Sequence, residues 1–285
     1  MIVLKSEREI GLMRRGGHIL ADVVQLIRDI IKPGMSTLEV DDEVESFIRE
    51  RGAVPAFKGY RGFPATVCIS INEEVVHGIP SAHRRMKEGD IVGFDLGCIV
   101  EGYYADCAVT LALGEIPPRV QKLLDVTRES LEQAIAECRP GRRLSDVSHA
   151  VQRHVEPHGF GIVRTFVGHG IGRALHEEPQ VPNFGDPGRG PQLKPGMVLA
   201  IEPMVTLGSH EVKILEDGWT AVTRDGSLAA HFEHTVAVTE DGPEVLTSKS
   251  SSEGAAHRRA SSATAPSELR DGAGEAGART APKQR

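Results

Sequence analysis

The 285-residue chain is short of thiols, of long apolar runs and of positive charge. Its four cysteines, Cys68, Cys98, Cys107 and Cys138, show no C-x-x-C spacing, which removes the common thiolate zinc and redox motifs. Three of them lie in apolar, strand-like runs, where a buried free thiol is the ordinary fate. A reducing cytoplasm is the economical compartment. No run approaches the roughly 18–20 apolar residues of a membrane-spanning helix, and the opening MIVLKSEREI lacks the basic-then-apolar order of a signal peptide. The expectation is a cytoplasmic protein with no membrane partner. The formal charge of −7 is uneven: residues 248–285 carry seven Lys/Arg and four Asp/Glu, which makes that tail +3 and the remainder −10. An acidic body argues against a specific nucleic-acid partner. It suits a site that holds cations.

Residues 248–285 are rich in Ser, Ala and Gly, with Leu269 as the single large aliphatic residue. Such a segment buries too little to offset its ordering entropy, so it is expected to be a disordered, solvated extension. The remaining 1–247 is expected to be one catalytic domain. Apolar periodicity predicts helices over about 6–31, 36–51, 117–138 and 144–157, and strands over 66–71, 90–99 and 103–113, with further strands to 246. Hairpins with grouped helices indicate an α+β fold rather than a strand-helix alternation.

Sliding the chain by 107 residues exposes an internal repeat. Lys32-Pro33-Gly34 falls on Arg139-Pro140-Gly141, and the helix face Val40, Val44, Ile48 falls on Val147, Val151, Val155. In the same register, Ile91-Val92-Gly93-Phe94-Asp95 falls on Val198-Leu199-Ala200-Ile201-Glu202. Two related halves, about 1–115 and 116–247, each aim an acid from the middle of an apolar strand.

An ionised carboxylate in such a strand costs several kcal/mol, roughly, unless something compensates it. Asp95 shares its face with Gly93 and Gly97, which are expected to leave space around it. A turn centred near 100–102 returns the chain through YYADCAVTLAL and puts Asp106 on that face, opposite or diagonal to Asp95. Glu202 in MVLAIEPMV and Glu233 in AAHFEHTVAV repeat the device in the second half. A single strand acid is as readily half of a buried ion pair, but no Lys or Arg lies within either first-half strand. Four carboxylates balance two divalent cations, and one histidine would complete an oxygen-rich dinuclear set.

The stretch VGHGIGRALHEEP, residues 167–179, supplies two histidines seven apart, His169 and His176. It admits three readings: a phosphate loop, metal ligands, or ordinary turn and core residues. No Walker lysine follows the glycines, and His176-Glu177-Glu178 runs into Pro179 rather than completing an H-E-x-x-H motif. The glycines fit better as close backbone approach around His169. Beside four unpaired acids, a ligand role for it outweighs a structural one.

With HGI at 77–79, DLGCIVEGYYADCA at 95–108, GHGIGRALHEEP at 168–179, IEPM at 201–204 and FEHT at 232–235, the chain resembles the bacterial-type methionine aminopeptidases over about residues 3–247. The resemblance implies the pita-bread fold: two pseudo-symmetric halves with a curved antiparallel sheet and helices on its outer face. It implies two divalent ions (Mn, Fe, Co or Zn) held by Asp95, Asp106, His169, Glu202 and Glu233, with Asp106 and Glu233 shared between them. It also implies hydrolysis of the first peptide bond after methionine by a hydroxide bridging the two ions, when the second residue is small. His176 would donate to the scissile carbonyl and the oxyanion formed from it, His77 would contact the substrate near the scissile amide, and Glu202 would carry the proton to the leaving amine. Phe57, Tyr60, Phe63, Cys68, Leu175 and Trp219 are implied for the methionine pocket. The implied partners are the N-termini of nascent polypeptides near the ribosome, met by a monomer. A prolidase or X-Pro aminopeptidase would share fold and metals but normally carries a further N-terminal domain. A non-catalytic relative would have lost ligands, and none is missing.

Overall fold

In the computed structural model, residues 1–249 are described; the expected disordered tail lies outside them, apart from Ser248 and Lys249. Four helices form where the periodicity predicts them: α1 (Glu7–Ile30), α2 (Thr37–Glu50), α3 (Pro118–Ala136) and α4 (Leu144–Val155). The first two start on reciprocal capping boxes, Ser6 with Glu9 and Ser36 with Glu39, each satisfying amides left open at a helix start. On α1 the buried residues Ile10, Met13, Leu20, Val23 and Ile27 make one stripe at helical spacing. That stripe packs α1 onto the strands described next.

The first half supplies β1 (Val54–Pro55), β2 (Val67–Ile71), β3 (Glu74–Val76), β4 (Ile91–Val100) and β5 (Tyr103–Ala112). The second supplies β6 (Gly161–Ile162), β7 (Gly168–Gly170), β8 (Glu177–Val181), β9 (Val198–Ile201), β10 (Met204–Thr206), β11 (Val212–Ile214), β12 (Ala221–Thr223), β13 (Ala229–His231), β14 (Glu233–Thr239) and β15 (Gly242–Val245). The main sheet runs β1-β4-β5-β14-β9-β7-β8, with β2 also on β4 and β15 on β14. Every pairing recorded in it is antiparallel. The β4–β5 hairpin closes through Glu101-Gly102, both at positive φ (49° and 81°), the mirror-image turn that matches strand twist. The α+β expectation holds, as a curled antiparallel sheet with helices packed against it.

The 107-residue offset recurs in the backbone contacts. Gly34 donates to the Met86 carbonyl at 2.8 Å, and Gly141 to Leu193 at 3.1 Å. Thr37 donates to Arg84 at 2.9 Å, and Leu144 to Pro191 at 3.0 Å. The isolated bridges Ser36–Arg85 and Arg143–Gln192 repeat it once more. Past β9 the offset grows. Leu113 donates to Asp90 and Val238 donates to Met197, each at 2.8 Å, so β5 corresponds to β14 at 125 residues. Where the first half has a two-residue turn, the second opens the hairpin between β9 and β14 to admit β10–β13. The two halves join edge to edge where β5 pairs with β14.

Candidate metal centre

Five neighbouring strands each deliver one ligand-type side chain to the same place. In sheet order β4, β5, β14, β9 and β7 they are Asp95, Asp106, Glu233, Glu202 (one residue past the end of β9) and His169. Register explains the convergence. Gly97 faces Asp106 and Asp95 faces Ala108, so Asp95 and Asp106 lie diagonally on one face. Ala108 in turn faces Glu233 across the seam between the halves, and His169 faces Ala200, two residues before Glu202.

Asp106, His169 and Glu233 are buried and offer ligand atoms all within 4.8 Å of one another. The His169 Nε2 lies 3.6 Å from a Glu202 carboxylate oxygen and 4.0 Å from one of Asp106. Its Nδ1 lies 2.9 Å from the Gly170 carbonyl, and donating there leaves the Nε2 lone pair facing the acids. Burial pushes the Asp95 carboxyl up to about 7. Burial, joined by the other carboxylates' charge, drives Asp106, Glu202 and Glu233 well above the usual range. Burial also lowers His169 to about 4, so the imidazole is neutral. Asp95 Oδ1, Asp106 Oδ1 and Glu233 Oε1 are buried and have no hydrogen-bond partner among the described residues. Lone pairs that have neither proton donor nor cation fit a divalent metal centre. Four acids and one neutral imidazole match two such ions in charge.

A cavity of about 300 Å³ opens onto this cluster, and every site residue named from the sequence lines it, joined by Arg61 and Phe166. His169 and His176 both reach it, their ring centroids 4.3 Å apart, because the chain bulges between His169 and Gly170 before turning back. The glycines of this stretch do serve close approach: a Cβ at Gly168 or Gly170 would strike the carbonyls of Ala200 or Glu178. His176 Nδ1 meets the Tyr60 hydroxyl at 2.9 Å. His77 sits at a left-handed φ of 61°, its ring edge-on to Phe166 and Trp219. Burial lowers it to about 4. The Asp217 carboxylate accepts the N–H groups of Trp219 (2.8 Å) and Thr220 (2.9 Å), fixing the loop that carries Trp219 edge-on to Phe63.

Two expectations need amending. The space at Gly97 does not surround Asp95: a Cβ there would fall 2.5 Å from the Phe57 ring, so the glycine seats that ring in the cavity wall. Nor does Glu233 correspond to Asp106 within the repeat. At the 125-residue offset Glu233 answers to Ala108, and His231 answers to Asp106. His231 was not foreseen. It is buried, held neutral by burial at about 3, with Nε2 3.8 Å from Glu202. Thr235 was also missed; it accepts from the Asp106 N–H at 3.0 Å and donates to the Asp106 carbonyl at 2.7 Å.

Residues 11–240 match Metallopeptidase family M24. Among curated proteins, the chain is 52% identical over 247 residues to the methionine aminopeptidase of Clostridium acetobutylicum and 53% identical to methionine aminopeptidase 1 of Bacillus subtilis. Each alignment takes in 87% of this chain and 99% of the relative. Among solved structures, the methionine aminopeptidase of Thermotoga maritima is 49% identical with a TM-score of 0.86, matched over 87% of this chain and all of that one.

Proposed function

The chain belongs to metallopeptidase family M24, among its methionine aminopeptidases, and from that premise we propose that it removes methionine from the N-terminus of polypeptides whose second residue is small. The observation that carries this reading is the juxtaposition of an apolar, aromatic-walled cavity with five ligand-type side chains, three of them with unpartnered buried oxygens. Asp95, Asp106, His169, Glu202 and Glu233 would hold two divalent cations. When bound, such ions lower the pKa of water and polarise a carbonyl.

The chain's own groups do the rest. Phe57, Tyr60, Phe63, Cys68, Leu175 and Trp219 receive the methionine side chain, whose thioether gains about 0.3–1.5 kcal/mol against an aromatic ring. His176 is neutral, because burial and the Arg61 charge lower its pKa. With Nδ1 accepting from Tyr60, its remaining proton sits on Nε2, which donates to the scissile carbonyl oxygen and to the charge that grows there. Glu202, which lines the cavity beside His169, would accept a proton from the attacking water and pass it to the departing amine. His77, fixed between two aromatic rings, borders the path of the second residue, and its neutral ring is a hydrogen-bond partner for the scissile amide. The substrates are nascent chains in the cytoplasm, met by a monomer.

The test is hydrolysis of Met-Ala-Ser by metal-free protein titrated with Mn, Fe, Co or Zn, beside Met-Ile-Ser and Ala-Pro. Turnover of the first peptide alone, with saturation near two ions per chain, is the expected result. Preference for Ala-Pro would reassign the chain to proline-directed cleavage, and metal-independent turnover would remove the metal centre.

A further inference from the structure

The turn 171–176 carries Leu175 and His176 to the cavity, and a strap from the far end of the sequence holds it in place. Lys5 is buried, and its ammonium meets the Glu177 carboxylate at 2.7 Å. The other Glu177 oxygen accepts the N–H groups of Arg173 (2.7 Å) and Ala174 (3.1 Å), closing the turn from inside. Burial alone would raise the Glu177 carboxyl; Lys5 and those amides hold it below the ordinary range. Gly172 lies close under the ion pair: a Cβ there would fall 2.5 Å from Lys5 Cε and 2.7 Å from the Glu177 carboxylate, and would have to push that pair aside. Lys5 is itself anchored, its N–H donating to the Gly196 carbonyl at 2.7 Å and its ammonium to that of Val3 at 3.2 Å. A second tie runs parallel: Glu9, which caps α1 through Ser6, accepts from the Tyr103 hydroxyl, and the Arg173 guanidinium lies 4.6 Å over the Tyr103 ring.

We propose that Lys5 is a positioning residue: through Glu177 the N-terminal strap sets the placement of His176 and Leu175 for the reaction. The proposal rests on the aminopeptidase reading above. The physical reason is the length of the lever. The turn's inner bonds converge on one carboxylate, and one buried cation fixes that carboxylate. Loss of the cation leaves a half-buried charge with two amides as its remaining partners, and the turn relaxes toward solvent. A displacement of about 1 Å at His176 is enough to lower a rate by about 100-fold, while the five metal-site side chains, four on strands and Glu202 one residue past β9, stay where they are.

The experiment compares Lys5→Met, Glu177→Gln and the double variant with the unaltered chain and with Arg14→Gln, which cuts the tie from α1 to Glu244 on β15 instead. Three quantities are read: amide hydrogen exchange of the metal-free proteins, metal stoichiometry, and kcat and KM on Met-Ala-Ser. Lys5→Met is expected to speed exchange in segment 170–177 above all others, to keep its metals, and to lower kcat about 10–100-fold with KM within about threefold. The double variant should be no worse than the worse single one, since both cut one link. Arg14→Gln should lower Tm and leave kcat unchanged. If Lys5→Met does not fold, Glu177→Gln carries the test, because its amide oxygen still accepts from Arg173 and Ala174. A folded variant with unaltered kcat, or faster exchange spread evenly over the fold, overturns the strap. Absence of turnover in the unaltered chain would instead overturn the aminopeptidase reading, and the exchange pattern would still decide whether Lys5 holds the turn.

Discussion

At the scale of single residues, the site is a set of charges that cannot stand alone. Asp106 and Glu233 are buried, share the sheet seam and have unpartnered oxygens. Changing either to Ala should abolish turnover and reduce the metal held per chain, which elemental analysis of the dialysed protein reads directly; full activity of either variant in metal-free buffer would refute the site. His176 stands apart from that set. It touches Tyr60 and the His169 ring and, among the described residues, no carboxylate within ion-pair distance. His176→Ala should therefore keep its metals and lose about 10²–10³ in kcat, with KM little changed. A lost ion would show that it is a ligand. The four acids were legible in the sequence because an acid in an apolar strand is costly wherever the strand goes. His231 was not, since a strand histidine reads equally well as core, and only the backbone offset of the second half sets it opposite Glu202. Gly97 was misread for a related reason: the ring that fills its space comes from Phe57, forty residues earlier.

At the scale of elements, the helices and the long hairpin followed from periodicity and caps to within a few residues, but the short strands β10–β13 did not. They are three residues each, too brief for a two-residue alternation to register, and they owe their conformation to each other's edges. Trp219 enters the cavity wall from the loop between β11 and β12, so the part of the site least visible in the sequence is the part built on these insertions. The tie between α2 and β2 allows a separate test. Asp41 on α2 accepts the N–H groups of Thr66 (2.9 Å) and Val67 (2.7 Å) at the start of β2. Burial raises its pKa from 3.8 to about 6, against the pull of those amides. The folded state thus keeps a proton that the unfolded chain releases earlier, so this group's contribution to stability falls as pH rises from about 4 through about 6 and is level beyond. Asp41→Asn keeps an acceptor for both amides and does not titrate. The Tm difference between variant and unaltered chain should therefore move in the variant's favour over that window and stay constant above about pH 7. A difference independent of pH would mean that folding leaves the Asp41 pKa unchanged.

At the scale of the whole molecule, the repeat explains why the site lies at a seam. Each half supplies two carboxylates, the second adds the histidine, and the pairing of β5 with β14 brings the two sets together. The sequence exposed the 107-residue period because helix and strand kept one register, and it hid the change to 125 because the insertion falls between two strands rather than within one. The contacts of Leu246 and Thr247 bear on where the domain ends. We propose that the catalytic domain closes at Thr247. Leu246 is fully buried and donates its N–H to the Thr235 carbonyl at 2.9 Å. The Thr247 hydroxyl accepts from the Thr235 N–H at 3.2 Å and meets His234 Nδ1 at 2.8 Å. Thr235 is the residue that holds the Asp106 backbone, so Thr247 lies one contact behind the candidate metal site. Beyond it, Lys249 pairs with Asp22 at the surface, a bond worth about 0–1 kcal/mol. A chain ending at Thr247 should then melt with the full-length protein and keep its metals and tripeptide turnover. One ending at Val245 gives up a buried leucine, about 2–5 kcal/mol, together with the support of Thr235, and should melt well below it. Equal melting of the two shortened chains would show that the domain closes earlier, at β15; loss of activity in the longer one would place residues beyond 247 within the catalytic domain.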